Sequence, residues 1–187
     1  GGSAVCMLKP VGSAKISVIN AWIGNIRMVL EDYSSGSDVY MQDVHSWGSY
    51  FRVSNKVNMF INSFEVTDYI PISTNGGTIM RVDGGRHVLS NIYGRYTFNG
   101  LTWGALLFIS DLVSSVDITV NNMVVYGNSL NASATYGAIS LYKYTNNSAS
   151  RVVVRNFTSR VATKGYDLYE DSGAGMLFLF GHDIVQK

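Results

Sequence analysis

The chain has 187 residues, enough for one well-buried domain. Only 14% are charged, with 14 Lys+Arg against 13 Asp+Glu, so no charge imbalance draws in nucleic acid or an anionic membrane surface, and neither partner is expected. The single cysteine, Cys6, excludes an internal disulfide, no Cys/His cluster has zinc-ligand spacing, and no apolar run approaches the ~20 residues of a spanning helix. No metal, no cofactor and no membrane insertion are therefore expected.

Polarity comes instead from Asn, Ser, Thr and Gly, beside 12 Tyr, 8 Phe and 3 Trp. Helical periodicity is not sustained anywhere, because β-branched residues, aromatics, Gly and Asn interrupt every window. A short strand pattern that ends on Asn or Asp recurs in its place. In chain order it reads Ile16–Asn20, Val39–Asp43, Asn58–Asn62, His87–Asn91, Ile118–Asn122 and Val152–Asn156. The copies return at intervals of roughly 20 to 35 residues, inside the range of repeat proteins.

A second pattern of alternating apolar positions lies between successive copies: Met28 and Leu30, Phe51 and Val53, Met80 and Val82, Leu107 and Ile109, Ile139 and Leu141, Leu177 and Leu179. A third short strand follows each Asn, with Ala21 and Ile23, Val44 and Ser46, Ile92 and Gly94, Met123 and Val125, Phe157 and Ser159 as inward pairs. Three short strands per turn, each unit burying its apolar face against its neighbours, imply an all-β fold: a right-handed single-stranded parallel β-helix of about six irregular rungs. An antiparallel sandwich is the second reading, weakened by the scarcity of tight Asn-Gly hairpin turns.

The Asn/Asp column, Asn20, Asp43, Asn62, Asn91, Asn122 and Asn156, is expected to form an inward amide ladder, with Asn20 and Asn62 donating to Asp43. Residues 1–187 form one β-helix domain, expected to be a fragment of a longer chain because neither end shows a capping helix. Insertions from Thr67 to Gly77, Thr97 to Trp103, Gly127 to Tyr136 and Ala162 to Gly175 are expected to stack into a wall on one side.

Two residues beyond each ladder position the side chain points outward, and that column reads Trp22, His45, Phe64, Tyr93, Val124 and Thr158. With Trp47 and Trp103 it offers flat apolar surface for sugars or for another subunit. For catalysis, glycosidases place two carboxylates ~5 to 9.5 Å apart. Glu31, Ser54 and Asp83 take equivalent outward positions, and Asp111 lies one rung from Asp83; Glu31, Asp83 and Asp111 are thus the candidate acid and base. Glu65 and Asp68 make a further acidic spot, Arg151, Arg155 and Arg160 gather on the last rung, and His87 falls at an inward, core position.

Rungs such as Val116–Met123 resemble the pectate-lyase-like β-helix superfamily, and the uncharged, Tyr/Asn/Ser/Gly-rich composition is most similar to bacteriophage tailspikes. That resemblance implies a homotrimer in the phage tail or outside the cell, recognising bacterial surface polysaccharide and in many cases cleaving it. Three functions follow: glycan receptor binding, polysaccharide depolymerisation by a glycosidase or lyase, and a purely structural stalk or adhesin segment.

Overall fold

The computed structural model describes residues 4–8, 13–24, 26–47, 50–67, 77–98, 104–111, 114–129, 139–141, 149–161, 168–170, 177–180 and 183–184. They contain the strands β1 (Ala4–Leu8), β2 (Lys15–Gly24), β3 (Ile26–Trp47), β4 (Tyr50–Thr67), β5 (Gly77–Asp83), β6 (Gly85–Phe98), β7 (Gly104–Ser110), β8 (Val116–Ser129), β9 (Ile139–Leu141), β10 (Arg151–Val161), β11 (Leu168–Glu170), β12 (Leu177–Phe180) and β13 (Asp183–Ile184). Among the described residues there is no helix. Every pairing between these strands is parallel. An antiparallel sandwich is excluded on that ground.

The registers sort each pass of the chain into three segments. First segments pair in the order β1, the start of β3, the start of β4, β5, β7, β9 and β11. Second and third segments are joined within single long strands, and they pair from β2 through the ends of β3 and β4 to β6, β8 and β10. The last pass supplies its second segment as β12 and its third as β13, both on β10. Leu177 and Leu179 accordingly belong to the second-segment column, beside Val152 and Val154, and not to the first, where the sequence pattern puts them.

One backbone conformation separates the second segment from the third. Asn20, Asp43, Ser63, Asn91, Asn122 and Asn156 all have positive φ, between 51° and 65°. This left-handed region is one that Asn and Asp enter more readily than other side-chain-bearing residues, which is why the bends select them. A left-handed bend turns the side chain out of the corner, and the Asn residues of the column are exposed. The expected inward ladder is therefore an outer one.

Its hydrogen bonds are nevertheless made. Asn156 Nδ2 donates to Asn122 Oδ1 at 2.9 Å and Asn122 Nδ2 to Asn91 Oδ1 at 3.1 Å. Asn91 Nδ2 continues to Asn62 Oδ1 at 2.8 Å. A spacing of ~4.8 Å between parallel neighbours brings stacked amides into this reach. Asp43 departs from expectation, because its carboxylate accepts from the adjacent Gln42 amide at 3.3 Å.

The core lies inside the bends. Val44, Phe64, Ile92, Met123 and Phe157 stack in register just after the bend and are all buried, as are Val53, Val82, Ile109 and Leu141 of the first segments. In the second segments Met59, His87 and Ile118 form one buried column. His87 donates from Nε2 to the Gly84 carbonyl at 2.7 Å, which leaves Nδ1 buried with no partner. Burial lowers its pKa from 6.5 to about 4, against the smaller opposing effects of the Gly84 hydrogen bond and of Asp117. It is the core imidazole that the sequence suggests, held neutral.

Candidate functional site

Alternation along the third segment puts two columns of side chains outside. The inner of these, two residues past the bend, pairs Trp22 with His45, His45 with Glu65, Glu65 with Tyr93 and Tyr93 with Val124. The outer, two residues further on, runs Gly24, Trp47, Thr67, Arg95, Tyr126.

Phe64 is not among them. It is 1% exposed and belongs to the core. The error has a single source: the sequence pattern ends on Asn62, but the residue in the left-handed bend is Ser63. A slip of one residue exchanges the two faces of a strand, so Phe64 goes in and Glu65 comes out.

The remaining aromatic candidates lie together. Trp22 is 72% exposed, Trp47 40% and Tyr93 37%, and Tyr126, which the sequence pattern passes over, joins them at 37%. Trp22 stacks on His45 with ring centroids 4.4 Å apart and planes 12° from parallel. Because these are register partners, the two rings face each other along the column. Trp47 is tilted 55° to Trp22 at 6.1 Å, and Tyr126 is tilted 58° to Tyr93 at 6.2 Å. The indole of Trp47 lies directly over Gly24, where a Cβ would fall about 2.1 Å from the ring. Any side chain at position 24 displaces it.

Between the two aromatic pairs the face is polar. His45 Nδ1 and Glu65 Oε2 are 2.8 Å apart, both side chains being partly exposed. At the adjoining corner a shallow depression of about 270 Å³ is lined by His45, Ser63, Glu65, Asn91 and Tyr93. Glu65, recognised in the sequence only as an acidic spot, is thus the carboxylate of this face. Trp103, Asp68 and most of the four insertions lie outside the described residues.

The proposed acid and base are placed differently. Glu31 pairs with Ser54 and Ser54 with Asp83, the register expected of them; the Glu31 side chain lies outside what is described. Asp83 is 1% exposed, so the outward orientation expected of it is incorrect; Asp111 is 2% exposed, and the residue one pass from Asp83 is Ser110. The Arg81 guanidinium donates to Asp83 at 2.8 Å. The Asp111 carboxylate accepts the Ser150 hydroxyl at 2.9 Å, and Ser150 Oγ in turn accepts the Val116 N–H at 3.2 Å. The physical reason is the corner that follows β5. Gly84 and Gly85 have φ of 88° and 92°, and they donate to the Ser110 and Ser115 carbonyls. The chain turns immediately past Asp83, and the two carboxylates are taken up by Arg81 and Ser150 instead of solvent.

A second outward surface lies on the second segments. Tyr40 stacks on Phe60 at 5.1 Å and 16°, beside Ile19, which is 59% exposed. Its edge carries Lys15, Asp38, Asn58, Arg86, Asp117 and Arg151 in register. Asn58 bridges that edge, donating to Asp38 at 3.0 Å and accepting the Arg86 N–H at 3.0 Å. Arg151 and Arg155 are exposed at its end, where Arg151 is in register with Asp117.

Compared with protein-family models, with curated proteins and with solved structures, the chain matches none.

Proposed function

We propose that the chain winds as a right-handed parallel β-helix and recognises surface polysaccharide of a bacterial host, as part of a homotrimeric tailspike-like protein of a phage tail. The wholly parallel pairing and the amide chain from Asn62 to Asn156 support the winding. The single observation that carries the function is the clustering of Trp22, Trp47, Tyr93 and Tyr126 on one outward face, around the His45–Glu65 pair. Aromatic rings supply apolar surface for the C–H faces of sugars, and the polar groups between them meet hydroxyls. A binding role is preferred to depolymerisation because Asp83 and Asp111 are shut away from any glycan. The Ile19, Tyr40 and Phe60 surface is the apolar area offered to a neighbouring copy.

The test is titration of bacterial capsule and lipopolysaccharide preparations against the protein, followed by its intrinsic Trp fluorescence, with sedimentation equilibrium for the trimer. Tyr93→Ala is expected to weaken glycan binding about tenfold, the scale of one lost aromatic contact, with the oligomeric state unchanged. Loss of the trimer in that variant would assign the face to a subunit interface and overturn the reading.

A further inference from the structure

The column of bend residues contains one anomaly. Asn20, Asp43, Asn91, Asn122 and Asn156 carry an amide or a carboxylate, and Ser63 carries only a hydroxymethyl. The hydrogen-bonded chain passes it by. Asn91 Nδ2 reaches sideways to Asn62 Oδ1, and the Asp43 carboxylate is engaged by Gln42 on its own pass. The short side chain leaves the depression of about 270 Å³ at this corner. It is smaller than the ~300–1,000 Å³ of sites for drug-sized ligands, and so suits one sugar ring rather than several.

Its walls and floor have a defined chemistry. His45 and Tyr93 flank Glu65 in register, one pass to either side, and are therefore separated by roughly 9.6 Å at the backbone. The Glu65 carboxylate is anchored through Oε2 by His45 and, when ionised, only accepts hydrogen bonds. Ser63 and Tyr93 add hydroxyls. Among the described residues no Lys or Arg lines the depression, and His45 is directed at Glu65. A carboxylated or phosphorylated sugar would meet like charge from Glu65, whereas sugar hydroxyls donate to it.

We infer that the notch at Ser63 is a subsite for one uncharged pyranose of a neutral polysaccharide, with Glu65 accepting its hydroxyls between His45 and Tyr93. This rests on the glycan-binding reading above and adds the class of sugar and the place where it is held.

Ser63→Asn and Glu65→Gln test it, each assayed with immobilised dextran, pullulan and mannan as neutral probes and with polygalacturonate, hyaluronan and polysialic acid as acidic ones. Asn suits the left-handed bend better than Ser and fills the notch, so Ser63→Asn is expected to keep or raise the melting temperature while weakening neutral-glycan binding at least tenfold. Glu65→Gln preserves shape and is expected to weaken the same binding with no change in melting temperature. Neutral-glycan binding that survives both variants, or binding confined to the acidic probes, would overturn the subsite and leave the glycan reading standing. No binding of the parent protein to any of the six would overturn both.

Discussion

The corner formed by Asn91, Asn122 and Asn156 and the corner formed by Asp43 and Ser63 share one column and one backbone conformation, yet they differ in what their side chains do. The first spends its amides on one another, in bonds of 2.9 and 3.1 Å that run along the stack. The second has no such continuity: Asp43 turns to Gln42, Ser63 is too short to bridge, and a depression opens beside Glu65. A bend that needs only positive φ tolerates several residues, and the choice among them decides whether the outside of the corner is self-satisfied or available to a ligand.

The comparison breaks most sharply at position 64. If Ser63 is the bend, Phe64→Ala removes a fully buried aromatic and is expected to cost about 3–5 kcal/mol, whereas Glu65→Ala costs no more than ~1 kcal/mol, as for an exposed ion pair. Chemical denaturation of the two variants decides it; a loss for Phe64→Ala no larger than that of an exposed residue would restore Asn62 as the bend.

Acid sharpens it next. His87 lies on the same strand as Asn91 and accepts a proton only near pH 4 when folded, against 6.5 when unfolded. Between those values the unfolded chain binds the extra proton, so this contribution is complete above about pH 6.5 and is lost as pH falls toward 4, roughly 3 kcal/mol in all. His87→Met is expected to flatten that part of the stability–pH profile. An unchanged profile would mean that His87 is not held neutral in the fold.

A smaller effect is expected at Asn122. Asn122→Leu removes one donor and one acceptor from the ladder and puts a branched side chain at φ 55°, at a cost of about 1–3 kcal/mol. The exposure of the ladder moderates this loss, since water replaces part of what the amides lose. An unchanged melting temperature would show that the ladder follows the bends without stabilising them.

Much of this was legible in the sequence. The Asn and Asp residues at 20, 43, 91, 122 and 156 announce the bends because few other side chains accept a left-handed backbone. The alternation after them correctly gives Ala21, Val44, Ile92, Met123 and Phe157 as the inward set. At Asn62-Ser63 the sequence pattern ends on Asn62, the more typical bend residue, and the structure uses Ser63 instead. A signal was present: with Asn62 as the bend, Glu65 would point into the core and Phe64 into water, whereas Ser63 reverses both. Asp83 and Asp111 could not be placed by alternation, because they sit at or just past the end of a first-segment strand, where the period of two lapses, and Gly84-Gly85 turn the chain directly after Asp83.

The amino-acid order alone determined that the chain is all-β and bent at recurring Asn and Asp residues, since those properties follow from local dihedral preference and a period of two. Only the tertiary structure decided which side of each bend faces solvent, that the amide chain skips Ser63, and that Glu65 stands between His45 and Tyr93. Those facts depend on register between passes some twenty to thirty residues apart, and a one-residue shift that local sequence scarcely marks reverses every side chain beyond it.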